Sequence, residues 1–217
     1  KSIEFFLTHF FRSNSLVDNE PPNDEVEEPF YEYKSPTGFQ VIEAILFSKN
    51  PFAQKKDLVQ QAALINSSAS DIYAFLYNLK INDKQILESV RLGLIRLITL
   101  GITGYDAPEL KTGIAESGEV LSTFKTILHP LLIEKNKEAD SVSFYLDTAL
   151  KMISNNPGFD SFNRLNFLTQ AIFPLQRHLG LLIKGENLGL NSTGVLNYDA
   201  KNLFSPDALY IDPKSNP

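Results

Sequence analysis

The stretch DKQILESVRLGLIRLITLGI, residues 83–102, decides the fold. Its apolar residues Ile86, Val90, Leu94, Leu97 and Ile98 recur every three or four positions, the spacing that gathers them on one face of a helix. Asp83 has a side-chain oxygen suited to an N-cap, and Gly101 and Gly104 follow as stop signals. A helix with one apolar stripe needs other elements to cover it.

The same period recurs on both sides. Upstream, residues 39–47 carry Phe39, Ile42, Ile45 and Leu46, and Asn50-Pro51 breaks the pattern. A long helix is expected from about 53 to 79, with Leu58, Ala62, Ile65, Ile72, Phe75, Leu76 and Leu79 on one side and a bend or cap at Ser67-Ser68. Downstream, helices are expected over 115–132, ended or kinked at Pro130, and over 137–154 and 161–182. The turn Asn155-Asn156-Pro157-Gly158 separates the last two; Asp160 is read as the N-cap of the last, with a helical pair to Arg164. Residues 1–11 read as the end of a helix whose beginning is missing, and residues 186–217, rich in Asn, Gly, Ser and Pro, as an extended tail. No strand pattern stands out. The expectation is an all-α, up-and-down helical bundle over 1–185 with a C-terminal tail over 186–217.

Composition narrows the function classes. Hydrophobic residues make up 43% of the chain and charged residues 21%, ordinary globular values that support a real core. The net charge of −6 and the lack of any Lys/Arg stripe argue against nucleic-acid binding. Residues 18–33 hold seven acidic residues, no basic one and three prolines, and read as a solvated acidic loop. No cysteine occurs, so this segment has no disulfide, no thiolate ligand and no covalent haem attachment. No apolar run approaches the roughly 20 residues of a membrane-spanning helix.

Candidate chemistry is sparse. His9, His129 and His178 are too far apart in sequence for a helical ligand pair and read as structural residues. There is no G-x-S-x-G elbow and no phosphate-binding glycine loop. One constellation stands out: Gly38-Phe39-Gln40-Val41-Ile42-Glu43, opening a helix, with Gln40 and Glu43 three apart on one face. A carboxylate in a helical core needs a partner, and Arg91 or Arg96 is expected to supply one if the 83–102 helix packs alongside. Gly38, Gln40, Glu43, Arg91 and Arg96 are therefore the candidate pocket, and no catalytic residue is assigned.

Gly38 to Glu43 resembles the G-x-H-x-x-E motif of the imelysin-like family of exported bacterial helical proteins, with Gln40 where that family has His. An amide is a poorer transition-metal ligand than imidazole, so no metal is expected here. The blocks GFQVIEAILF, LESVRLGLIRLITLGITGYDAPE, FDSFNRLNFLTQAIFPL and NLFSPDAL resemble the N-terminal helical region of di-haem cytochrome c peroxidase-like proteins of Bacteroidetes-type bacteria. There, an imelysin-like domain precedes two c-type haem domains, each with C-x-x-C-H. The resemblance implies a non-catalytic accessory domain in the periplasm or cell envelope. Its partners would be the haem domains of the same polypeptide, and c-type haem would lie in the downstream part, where the oxidoreductase chemistry belongs. The alternative is a free-standing imelysin-like envelope protein that binds iron or a small solute. A hydrolase is a third class, disfavoured because Gln40 does not titrate.

Overall fold

The computed structural model describes residues 24–27, 30–33, 36–77, 80, 82–134 and 136–185. The helix expected over 1–11, His9 and the tail expected over 186–217 lie outside the described residues. Within them the chain is a helical bundle, as its periodicity implied, with one two-stranded ribbon. Strands β1 (Asp24–Glu27) and β2 (Phe30–Tyr33) pair antiparallel, Asp24 opposite Tyr33 and Glu27 opposite Phe30. This corrects the reading of 18–33 as a loop throughout. Val26, Phe30, Tyr31 and Tyr33 are strand-forming residues that the acidic composition masked.

The helices are α1 (Phe39–Leu46), α2 (Lys55–Tyr77), α3 (Asp83–Arg96), α4 (Gly113–Leu132), α5 (Lys137–Asn155), α6 (Arg164–Phe167) and α7 (Phe173–Gly185). A 3-10 turn over Pro51–Gln54, capped by the Asn50 side chain, enters α2. Helix α2 runs unbroken past Ser67-Ser68, where a bend or cap was expected. The expected helix over 83–102 is α3 continued by a π-helical turn, Leu97–Gly101. A second π turn, Leu168–Ile172, joins α6 to α7. A π turn inserts one residue into the helical repeat and rotates the face that follows.

The core lies among α3, α4, α5 and the α6–α7 helix. Helix α5 shows why. Asn136 caps it by accepting N–H bonds from Glu138 (3.0 Å) and Ala139 (2.9 Å), and Glu138 and Asp140 place negative charge at its positive end. Ala139, Val142, Leu146, Ala149 and Ile153 then follow at spacings of three and four, all buried. Helix α4 buries Ile114, Ser117, Leu121, Phe124 and Leu128 on the same period. Pro130 sits within the last turn of α4 without ending it, as its missing N–H removes a single bond near a terminus. Short connections between α4, α5 and α6 make neighbours antiparallel.

Among the described residues, the main core takes none from α1 or α2. The buried stripe of α3 is Leu87, Val90 and Leu94, continued by Leu97 in the π turn. The stripe expected on α2 is only half-buried at Leu58 and Ile65, and Ala62 is exposed. Helix α1 packs chiefly on α2 and not on α3.

Candidate functional site: a helix clasped to a glycine-rich loop

The motif at the start of α1 begins with a backbone requirement. Gly38 has φ 115° and ψ −170°, a region closed to residues with a Cβ, and is buried. Its N–H donates to the Gln61 side-chain oxygen at 3.2 Å, which ties the start of α1 to α2. From that fixed start, Gln40 and Glu43 project together towards the loop of residues 101–112.

Both motif side chains hold backbone. The Gln40 amide donates to the Tyr105 carbonyl at 2.5 Å. Glu43, only 4% exposed, accepts the backbone N–H groups of Glu109 (3.0 Å) and Leu110 (2.6 Å) on a single oxygen. Charge-assisted bonds to amides offset the desolvation of a buried carboxylate. The sequence pointed to a guanidinium as partner; the described partners of Glu43 are main-chain amides. Arg91 is buried and Arg96 half-buried on α3, which contacts α4 and α7. Three of the five candidates, Gly38, Gln40 and Glu43, thus form one structural feature; Arg91 and Arg96 lie on α3.

The loop that α1 grips is built to be rigid. It turns by Gly104 N–H to the Gly101 carbonyl (3.1 Å), Ala107 N–H to the Gly104 carbonyl (3.3 Å) and Lys111 N–H to the Ala107 carbonyl (2.9 Å). Gly104 has φ 81°, and a Cβ there would lie 2.4 Å from the Phe159 ring. The Arg164 guanidinium sits 4.3 Å over that same ring, and its Nε donates to the Ile102 carbonyl at 2.6 Å. At the loop's ends the chain touches itself: a Cβ on Gly113 would lie 2.1 Å from the Gly101 carbonyl oxygen. The Ser117 hydroxyl donates to the Gly113 carbonyl at 2.7 Å.

Asp160 does not serve as the N-cap expected of it. Asn163 caps α6 by accepting from Asn166 N–H at 3.0 Å, while Asp160 pairs with Lys111 at 3.0 Å across the loop. That pair is half or more exposed, worth at most about 1 kcal/mol. Arg164, expected to pair with Asp160, serves Ile102 and Phe159 instead. Three sequence blocks therefore converge on one loop: GFQVIE from α1, LGITGYDAPEL itself, and FDSFNR before α6.

Two further features escaped sequence reasoning. His178 on α7 bonds Glu138 on α5 at 2.7 Å, with the Tyr145 ring stacked 5.5 Å from the imidazole. The pair is 40 residues apart in sequence, with no local signal. His129 is exposed, on an open depression of about 450 Å³ along α4 that Ser122, Lys125, Thr126 and Pro130 also line. Beside the clasp, Phe39, Tyr105 and Leu110 are about half-exposed or more.

Among the described residues there is no group of three His, Cys, Asp or Glu side chains able to hold a metal ion, and no helix long and apolar enough to cross a membrane. Without cysteine the chain does not offer the covalent anchor of a c-type haem. No family model, curated protein or solved structure matches the chain.

Proposed function

We propose that this chain is a docking module of an exported di-haem cytochrome c peroxidase-like protein, seated against the haem domains of the same polypeptide. The observation that carries the reading is the use made of the motif. Gln40 and Glu43 engage the loop backbone at Tyr105, Glu109 and Leu110, and Phe39, Tyr105 and Leu110 are each about half-exposed or more. Aromatic and aliphatic anchors on a rigid frame are what a protein partner buries. The haem chemistry belongs to the partner domains, which would supply both the attachment cysteines and the axial ligands.

The gene should therefore encode two C-x-x-C-H sequences beyond Pro217. In the full-length protein, Phe39→Ser with Leu110→Ser should detach the helical module from the haem part, seen as a larger radius of gyration in small-angle scattering. A reading frame that closes at Pro217, or scattering unchanged by the double variant, contradicts the proposal. Titration calorimetry with ferric, cupric and zinc ions tests the envelope-binding alternative. Binding tighter than about 1 mM (roughly −4 kcal/mol) that is lost in Glu43→Gln would favour it instead.

A further inference from the structure

We infer that the turn between α1 and α2 is a contact with an anionic lipid surface. Phe52 is the inserted side chain, and Lys49, Lys55 and Lys56 meet the headgroups. In a chain of net charge −6, residues 44–56 hold three lysines and no acidic residue. All three lysines are exposed. The apolar side chains among them are exposed too: Phe52 by 88%, and Leu46 and Phe47, at the end of α1, by about half.

The turn is held in shape. Pro51 opens the 3-10 turn with a fixed backbone angle, and the Asn50 side chain accepts the Ala53 N–H at 3.4 Å. The Gln54 amide donates to the Ser48 hydroxyl at 3.1 Å, which ties the entry of the turn to its exit. The turn packs on both α1 and α2, which also pack on each other, so it closes one end of a helical hairpin.

A single exposed apolar residue is ordinary. Here three of them share a short turn with three cations. A protein partner would need a cavity shaped to take Phe52. A bilayer takes a protruding ring without one, at the boundary between headgroups and acyl chains. Lysine stems lie along that boundary while their ammonium groups stay among the headgroups. Asp57 adjoins the patch, and three lysines less this one carboxylate leave +2 over residues 44–57. Attraction to an anionic surface falls off within about a Debye length, roughly 8 Å at physiological salt, so the local charge outweighs acidic residues farther away. The docking role uses the other end of α1: Phe39 begins the helix and Phe47 follows it, about 12 Å along the axis, so either contact can fail alone.

The chain has no tryptophan, so Phe52→Trp places a single reporter at the turn. Vesicles of phosphatidylglycerol and phosphatidylcholine in equal parts, added to the whole chain at low salt, should shift its emission to the blue. Brominated lipid should quench it. Phe144→Trp, at an exposed position on α5, should not respond. In cosedimentation with the same vesicles, Lys55→Gln with Lys56→Gln should weaken binding at least about fivefold, and so should Phe52→Ser alone. Far-UV circular dichroism should be unchanged in both, because all three side chains are exposed. No blue shift, binding unaffected by these substitutions, or equal binding to pure phosphatidylcholine would overturn the inference. Retention on polyglutamate beads that the lysine substitutions abolish, with no binding to vesicles, would overturn it in favour of an acidic protein partner.

Discussion

Gly113→Ala adds one methyl group where the chain has no room for it. The new Cβ would lie 2.1 Å from the Gly101 carbonyl oxygen and 3.2 Å from its carbon. The obstacle is backbone, so no rotamer change relieves it, and α4 must shift from the π turn by about an ångström. That shift would break the fit of Ile114 and Leu121, both fully buried. Overpacking a filled core costs about 1–3 kcal/mol, and a backbone obstacle puts this site at the upper end. For a chain of this size, about 3 kcal/mol lowers Tm by roughly 6–12 °C.

The matched control is Gly180→Ala in α7, where nothing lies within 4 Å of the added Cβ. Alanine is the better helix former there, and the variant should gain about 0.5–1 kcal/mol. Urea unfolding followed by far-UV circular dichroism, with equal m-values, measures both. A Gly113→Ala loss under about 0.5 kcal/mol, or a stability change matching that of Gly180→Ala, would refute the tight Gly101–Gly113 contact.

Other substitutions probe the core and the loop by the same unfolding assay. Leu94→Ala removes a fully buried side chain of α3 and should cost about 2–5 kcal/mol; a smaller loss would place α3 at the rim. Gly104→Ala combines φ 81° with a Cβ 2.4 Å from the Phe159 ring and should cost about 2–4 kcal/mol. Lys111→Gly loses an exposed pair with Asp160 but relieves a non-glycine φ of 55°, so its stability should stay within about 0.5 kcal/mol of wild type or rise.

Much of the bundle was legible because α3, α4 and α5 carry stripes at spacings of three and four that survive in the folded chain. Their boundaries fell within two residues of expectation apart from the π turn. That turn had no signal, since a π insertion leaves the apolar composition unchanged and alters only which residues face inward. On α2 the periodicity overstated burial at three described positions: Leu58 and Ile65 are half-buried and Ala62 is exposed.

The candidate site was half legible. Gly38, Gln40 and Glu43 stood out as a group because a glycine opens the helix and two polar side chains share a face. Their partners did not, because those partners are the carbonyl of Tyr105 and the amides of Glu109 and Leu110. Every residue carries such groups, so no residue type announces them. Glu43 takes two N–H groups from more than sixty positions away, and nothing in the local sequence marks that pairing.

The most direct test of the clasp is the amide signals of Glu109 and Leu110 in a nitrogen-15 correlation spectrum with hydrogen exchange. Both protons should be protected, with Leu110 shifted downfield by its 2.6 Å bond, and both should lose protection in Glu43→Ala. Rapid exchange of both amides in the wild type, or protection unchanged by Glu43→Ala, would mean that the motif carboxylate does not hold this loop.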